Sequence, residues 1–284
     1  MKAYVFPGQG SQFVGMGEEL FPQYSELTAA ASSILGYDIT ELCLRDPQEQ
    51  LSFTKFTQPA LYIVNHLCYL AQVAAEGEPQ AAAGHSLGEF NALTAAGVMD
   101  FETGLRIVQK RAELMSQVSG GGMAAVVGLD ETQVRELLAE SGAENVYPAN
   151  LNTEKQIVLS GEKTALLSLE QRFTDAGARF VPLAVSGAFH TPYMAEAGRQ
   201  LREFISQFSF AEPKFAVISN FTARPYTADS VADNMIAQIS SPVKWDESMH
   251  YLLHAMQCEE IMQVGVGKVL KPMLVKIKKE APRF

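Results

Sequence analysis

Cysteine is scarce in this chain of 284 residues: Cys43, Cys68 and Cys258 are odd in number and far apart. That pattern builds neither a disulfide framework nor a zinc site, so each reads as a reduced, buried small side chain. Long apolar runs are missing too. Only four apolar residues precede Pro7 after the single lysine, too few for a secretory signal, and no stretch approaches the roughly 18 residues of a membrane span. A soluble cytoplasmic protein with no membrane contact is the expectation. Positive charge is in deficit, with 22 Lys and Arg against 32 Asp and Glu and a formal charge of −10. That balance argues against nucleic-acid binding, which depends on neutralising phosphates. The cations gather near the C-terminus, where Lys268, Lys271, Lys276, Lys278, Lys279 and Arg283 face only Glu280.

What the chain does have is core material, 47% apolar against 19% charged residues, which excludes disorder. Residues 2–6 read as a buried strand entering the turn Pro7-Gly8-Gln9-Gly10. A helix is expected over 59–72, with Pro59 at its first position, where a missing N–H costs nothing. Ala81-Ala82-Ala83-Gly84 reads as a strand, followed by a turn, a helix over 87–97, and a further helix over about 101–117 capped by Asp100. Ser119-Gly120-Gly121-Gly122, read as flexible because its glycines carry no side chains, is the best domain boundary in the chain. Beyond it come a strand at 123–129, a helix to about 141 with an Asp130/Gln133 capping box, strands near 146–151 and 156–160, a helix at 162–176 and a strand at 179–185. That order, β-α-β-β-α-β, is the split arrangement of a ferredoxin-like domain. With strands near 215–219 and 260–264 closing the chain, the fold class is α/β. A large domain (1–122 and 188–284) would carry a small inserted one (123–187).

The strongest chemical signal is Gly84-His85-Ser86-Leu87-Gly88, a G-x-S-x-G between an expected strand and an expected helix. Such a turn strains the serine and exposes its hydroxyl, and the Leu87 amide at the helix N-terminus can hold an oxyanion. A serine needs a base. Of the five histidines, His66 lies in an expected helix and reads as structural. His250 and His254 share a helix face without the glutamate of a zinc protease and read as a solvated face. His85 adjoins the nucleophile, its ring directed away from the hydroxyl. His190, in Ser186-Gly187-Ala188-Phe189-His190, is left as the candidate base. Arg111 falls between Ile107 and Leu114 on an apolar stripe. It is either a snorkelling side chain or a fixed charge gripping a buried carboxylate. Gly265-Val266-Gly267-Lys268 and Gly8-Gln9-Gly10 lack the spacing of nucleotide-binding loops, so no cofactor and no metal are expected.

Taken together, Pro7-Gly8-Gln9-Gly10-Ser11-Gln12, Thr57-Gln58-Pro59-Ala60-Leu61, Gly84-His85-Ser86-Leu87-Gly88-Glu89, Gln109-Lys110-Arg111, Asn150-Leu151-Asn152, Ala188-Phe189-His190, Gln238-Ile239-Ser240-Ser241-Pro242-Val243 and Gly265-Val266-Gly267-Lys268-Val269-Leu270 resemble the malonyl-CoA:acyl-carrier-protein transacylase family over essentially the whole chain. The likeness is greatest to the free-standing acyltransferases that serve polyketide synthases in trans. The resemblance implies an α/β-hydrolase-like large domain with a ferredoxin-like insert. It implies that Ser86 is acylated, that His190 moves its proton, and that Gln9 and Leu87 supply the oxyanion-hole amides. Arg111 would bind the malonyl carboxylate, and the Gln238 carbonyl would orient His190 in a dyad without a third carboxylate. Phe189 would fill the volume that an α-methyl group needs, selecting malonyl over methylmalonyl groups. The implied partners are malonyl-CoA and an acyl carrier protein of polyketide or fatty-acid synthesis, the enzyme itself being a monomer. The alternatives are an acyl hydrolase of the same fold and a non-catalytic docking subunit for carrier proteins.

Overall fold

The computed structural model describes residues 1–185 and 187–280; Ser186 and Arg283, named above, lie outside the described residues. Short, largely apolar strands build a parallel sheet that must be covered on both faces. Strand β1 (Lys2–Phe6) and β2 (Ala81–Gly84) pair with Phe6 opposite Gly84. Seven of their side chains, Ala3 to Phe6 and Ala81 to Ala83, are fully buried. The order is β7-β2-β1-β8, counting β7 (Ala216–Ile218) and β8 (Glu260–Gln263), and every pairing is parallel. The loops after β1 and β2 therefore emerge side by side at the carboxyl ends of the strands, where open α/β sheets bind ligands.

A second, antiparallel sheet is formed by β3 (Gly121–Val127), β4 (Val146–Thr153), β5 (Gln156–Glu162) and β6 (Arg179–Pro182), in the order β4-β5-β3-β6. With the helix Glu131–Ser141 after β3 and helical turns between β5 and β6, it is the ferredoxin-like unit expected from sequence. Its first helix opens on the expected box: the Asp130 carboxylate accepts from Gln133 N at 2.9 Å, and Asp130 N donates to the Gln133 side chain at 3.1 Å. The unit has its own core, with Val126, Val134, Leu159 and Phe173 at its centre.

Four expectations need correction. The helix predicted over 59–72 runs Thr54–Glu76, so Pro59 sits inside it. There the proline removes only the bond to the Lys55 carbonyl, and the first turn is held by Thr57, whose hydroxyl donates to the Leu51 carbonyl at 2.7 Å. The glycine run at 119–122 is not a free linker: Gly121 and Gly122 open β3 and are buried. A Cβ on Gly121 would lie 2.3 Å from Ala188 N, so the missing side chain permits close packing. The single helix at 162–176 is two, Lys163–Ser168 and Glu170–Asp175, the first capped by the Glu162 carboxylate. Finally, His250 is fully buried, 3.8 Å from an Asp246 oxygen and 3.7 Å from a Glu280 oxygen. The chain folds Glu280 back over that face, and only His254 of the pair is exposed.

The close approach of the elbow to β1 gives a stability test. A Cβ on Gly88 would stand 2.1 Å from the Phe6 carbonyl oxygen and 3.0 Å from that of Pro7, both backbone atoms that cannot swing aside. Gly88→Ala should destabilise the fold by about 3 kcal/mol or more, at or beyond the top of the usual range for overpacking. Urea denaturation followed by circular dichroism measures it; a loss below about 1 kcal/mol would show that the elbow can relax.

Candidate functional site

Ser86 occupies the turn between β2 and the helix Gly88–Ala95 with φ of 51°, a left-handed conformation that costs a serine energy. Three features hold it there. Glycine at 84 leaves room for the start of the helix, because a Cβ would meet the Gly88 backbone at 1.8 Å. The Asn220 side chain accepts from Ser86 N at 2.7 Å and donates to the Gly84 carbonyl at 2.7 Å, clamping both sides of the turn. Gln238 Nε2 donates to the Ser86 carbonyl, again at 2.7 Å.

The hydroxyl so exposed meets His190, with Oγ 2.8 Å from Nε2. The other ring nitrogen, Nδ1, lies 2.9 Å from the Gln238 carbonyl oxygen. A carbonyl only accepts, so Nδ1 carries the proton and Nε2 is left to accept from the serine. Burial, reinforced by the charge of Arg111, pushes the His190 pKa down to about 3, so the imidazole is neutral at physiological pH. His190 also has a left-handed φ, 59°, which turns its ring into the cleft. His85 is engaged elsewhere: its Nε2 lies 2.7 Å from Asn152 Oδ1 on β4, as the expectation of an averted ring requires.

Arg111, on the helix Phe101–Gln117, is fully buried, which excludes the snorkelling alternative. Its two terminal nitrogens donate to Gln58 Oε1 (2.6 Å), Gln238 Oε1 (2.9 Å) and Ser86 Oγ (3.2 Å). The guanidinium carbon lies 5.3 Å from the centre of the Phe90 ring. The expected carboxylate partner is absent: among the described residues Arg111 forms no ion pair, and its Nε has no hydrogen-bond partner. A buried cation held only by neutral acceptors is arranged to receive an anion.

A cavity of about 420 Å³ opens above Ser86. The loops after β1 and β2 contribute Gln9 and Leu87, the segment after β6 contributes His190, the small sheet Met123, Asn150 and Val158, and the helix Leu270–Ile277 closes one side with Leu270 and Met273. The Gln9 and Leu87 amides donate to no described residue, leaving both N–H groups available at the cavity wall. Phe189 lines the cavity while its ring is buried in the core. His66 is buried against Phe101, centroids 4.8 Å apart, in the structural role expected of it. Asp246, His250 and Glu280 can bring one metal-ligating atom each within 4.8 Å of one another, but none of them lines this cavity.

Sequence reasoning gives no role to Gln58, Glu89 and Asn152, although each falls in a motif of the family likeness, and misses Asn220 altogether. Glu89 left a trace, being the sole charge in the helix Gly88–Ala95, whose eight residues are all buried. Asn220 left none, because its role depends on a tertiary contact 134 residues away.

A strained serine at the carboxyl edge of a parallel sheet, a neutral histidine within hydrogen-bond reach and free amides beside it define a class, the serine-nucleophile acyl-handling enzymes of α/β fold. Within that class the chain belongs to the acyl transferase domain family, which matches residues 3–282. It is 48% identical, over 99% of its own length and 98% of the relative's, to the polyketide biosynthesis malonyl CoA-acyl carrier protein transacylase PksC of Bacillus subtilis (strain 168). Its backbone is similar to the crystal structure of a malonyl CoA-acyl carrier protein transacylase from Burkholderia pseudomallei, with a TM-score of 0.96 and 43% identity over 100% of this chain and 99% of that one. A further likeness, TM-score 0.92 with 33% identity over 98% and 93% of the two chains, is to a malonyl-transacylase in complex with its type II polyketide synthase acyl-carrier protein.

The neutral state of His190 has a thermodynamic signature. Its folded pKa, about 3, lies below the ordinary value of 6.5, so the unfolded chain binds the extra proton first. The stability this entails is complete above pH 6.5 and is lost as pH falls from 6.5 towards 3. In urea denaturation between pH 7 and 5, His190→Gln should remove up to about 1.4 kcal/mol per pH unit from the wild-type slope. Parallel slopes in the two proteins would mean that His190 takes up its proton at the same pH in the folded state as in the unfolded chain.

Proposed function

We propose that this acyltransferase moves a malonyl group from malonyl-CoA to the phosphopantetheine thiol of an acyl carrier protein through a malonyl-Ser86 intermediate. The single observation that carries the reading is Arg111, a fully buried cation 3.2 Å from the Ser86 hydroxyl with only neutral partners. Malonyl-CoA has a free carboxylate where acetyl-CoA has none, and burying that carboxylate is costly without a partner. The same arginine penalises acyl groups that leave it unpaired.

In the first half-reaction His190 Nε2 takes the Ser86 proton as Oγ attacks the thioester carbon. The Gln9 and Leu87 amides stabilise the oxyanion. The carbon–sulfur bond breaks, and the CoA thiolate leaves with the proton returned by His190. In the second, the phosphopantetheine thiol gives its proton to His190 and attacks the acyl-serine, and Ser86 regains the proton as it leaves. The Gln238 carbonyl keeps the imidazole in the required tautomer throughout. Phe189, against the base, fills the space that an α-methyl group would need. Because one chain supplies every one of these groups, a monomer acting in the cytoplasm suffices, with no cofactor. The relatives' names favour carrier proteins of polyketide synthesis.

The test is direct. Radiolabelled malonyl-CoA should label the protein, the label should persist in water and pass to a carrier protein, and Ser86→Ala should remain unlabelled. Rapid loss of label in water would favour a hydrolase. Arg111→Ala should cut kcat/KM for malonyl-CoA by about 2–5 kcal/mol, the scale for breaking a buried hydrogen-bonded charge pair. Acetyl-CoA turnover should hold or rise, since its penalty is gone. A parallel fall for both thioesters in a folded variant would return Arg111 to a structural role.

A further inference from the structure

A second charged side chain lies buried behind the site, unused in the chemistry above. Glu89, one turn after the nucleophile, is 1% exposed. Its Oε1 accepts from the Tyr226 hydroxyl at 2.5 Å and from Asn220 N at 3.1 Å, and its Oε2 from Gln238 Nε2 at 2.7 Å. The Gln238 amide stands between this carboxylate and the arginine, because its Oε1 accepts from Arg111 at 2.9 Å. An ionised carboxylate only accepts and a guanidinium only donates, so the amide cannot flip, and the two charges are bridged through one side chain. With the cavity empty, Glu89 and Arg111 together are neutral. An anionic acyl group paired with Arg111 would leave two carboxylates sharing one cation in a region of low dielectric, where one of them must be neutralised.

We propose that Glu89 is the charge-balancing carboxylate of this site, taking up one proton from solvent when an anionic acyl substrate pairs with Arg111 and releasing it when that acyl group departs. This rests on the malonyl reading. The only bond made is the O–H of Glu89, and the proton comes from water or buffer. The titratable groups facing Glu89 are Tyr226 from the loop after β7, Arg111 from the helix Phe101–Gln117 and, beyond them, His190 and His85. Burial pushes Tyr226 up, lowers Arg111 only to about 10, and keeps both histidines below their usual range. Glu89, raised chiefly by burial to about 7, is the one of these groups that titrates near neutral pH. The sign follows. Above pH 7 the empty enzyme holds Glu89 ionised, so binding draws in a proton and affinity falls as pH rises. Well below pH 7 the carboxyl is already protonated and binding draws none.

Calorimetric titration of Ser86→Ala with malonyl-CoA, in two buffers of different ionisation enthalpy, counts the protons taken up. With Glu89 present, uptake should approach one proton at pH 8 and vanish near pH 5.5, and affinity should fall by up to tenfold per pH unit above pH 7. In Ser86→Ala/Glu89→Gln the uptake and its pH dependence should be lost; ionisation of the CoA phosphate affects both proteins equally and cancels. Equal proton counts with and without Glu89 would overturn the inference while leaving malonyl binding intact. Failure of malonyl-CoA to bind, together with an unlabelled wild type, would overturn the malonyl reading and this inference with it. Should Glu89→Gln fail to fold, Ser86→Ala/Tyr226→Phe decides. Loss of the tyrosine donor should move the onset of uptake to higher pH, and an unmoved onset would overturn the proposal.

Discussion

The constraint on which the site depends is the burial of one guanidinium. A cation taken out of water costs several kcal/mol unless its donors are satisfied. The fold meets that cost at Arg111 with neutral oxygens, from Gln58, Gln238 and Ser86. The choice of neutral partners has consequences in each direction. It fixes the orientation of two amide side chains, since only their oxygens can face a donor. Burial lowers the Arg111 pKa to about 10 against the opposing pull of Glu89. The positive charge also helps to keep His190 deprotonated, second only to burial. A carboxylate in direct contact would have satisfied the arginine more completely and left nothing to attract a substrate.

Around this charge the backbone is held in conformations it would not choose. Ser86 and His190 both lie in the left-handed region, at a cost of about 1–3 kcal/mol each. Those costs are offset by side chains that grip the backbone on either side. Asn220 clamps the elbow, and Gln238 binds the Ser86 carbonyl with its amide and His190 with its own carbonyl. Gln238 therefore touches nucleophile, base, arginine and Glu89 at once, and its placement sets the mutual geometry of all four.

The parts of this arrangement that were legible in the sequence are those whose cause is local. The β-α-β-β-α-β order follows from period and capping, as the Asp130/Gln133 box shows. The elbow follows from glycine spacing around Ser86, because each glycine answers a contact within a few residues or with the adjoining strand. His190 was reached by elimination and Gln238 only through a family likeness, since nothing local marks a carbonyl that will face an imidazole. Glycines 121 and 122 misled for the opposite reason: a small residue needed for close packing against Ala188 looks, in sequence, like a flexible linker. His250 misled because the residue that covers it, Glu280, arrives from 30 positions further on.

The same logic explains why the small sheet is more than a lid over the cleft. Val243, five residues beyond Gln238, exchanges backbone hydrogen bonds with β4: Val243 N donates to the Ala149 carbonyl at 2.8 Å, and Leu151 N donates to that of Val243 at 2.9 Å. On the opposite side, Gly121 at the start of β3 packs so closely on Ala188 that no side chain fits between them. The base is thus held between two fixed points of the small sheet, one reached through its own loop and the other through the segment that supplies its orienting carbonyl. His85 adds a third tie through Asn152. A displacement of the small sheet would strain the 2.9 Å bond that sets the tautomer of His190 as well as open the cavity. The small sheet therefore does two things at once: it walls the cavity, and it anchors both the loop that carries His190 and the segment that supplies its orienting carbonyl.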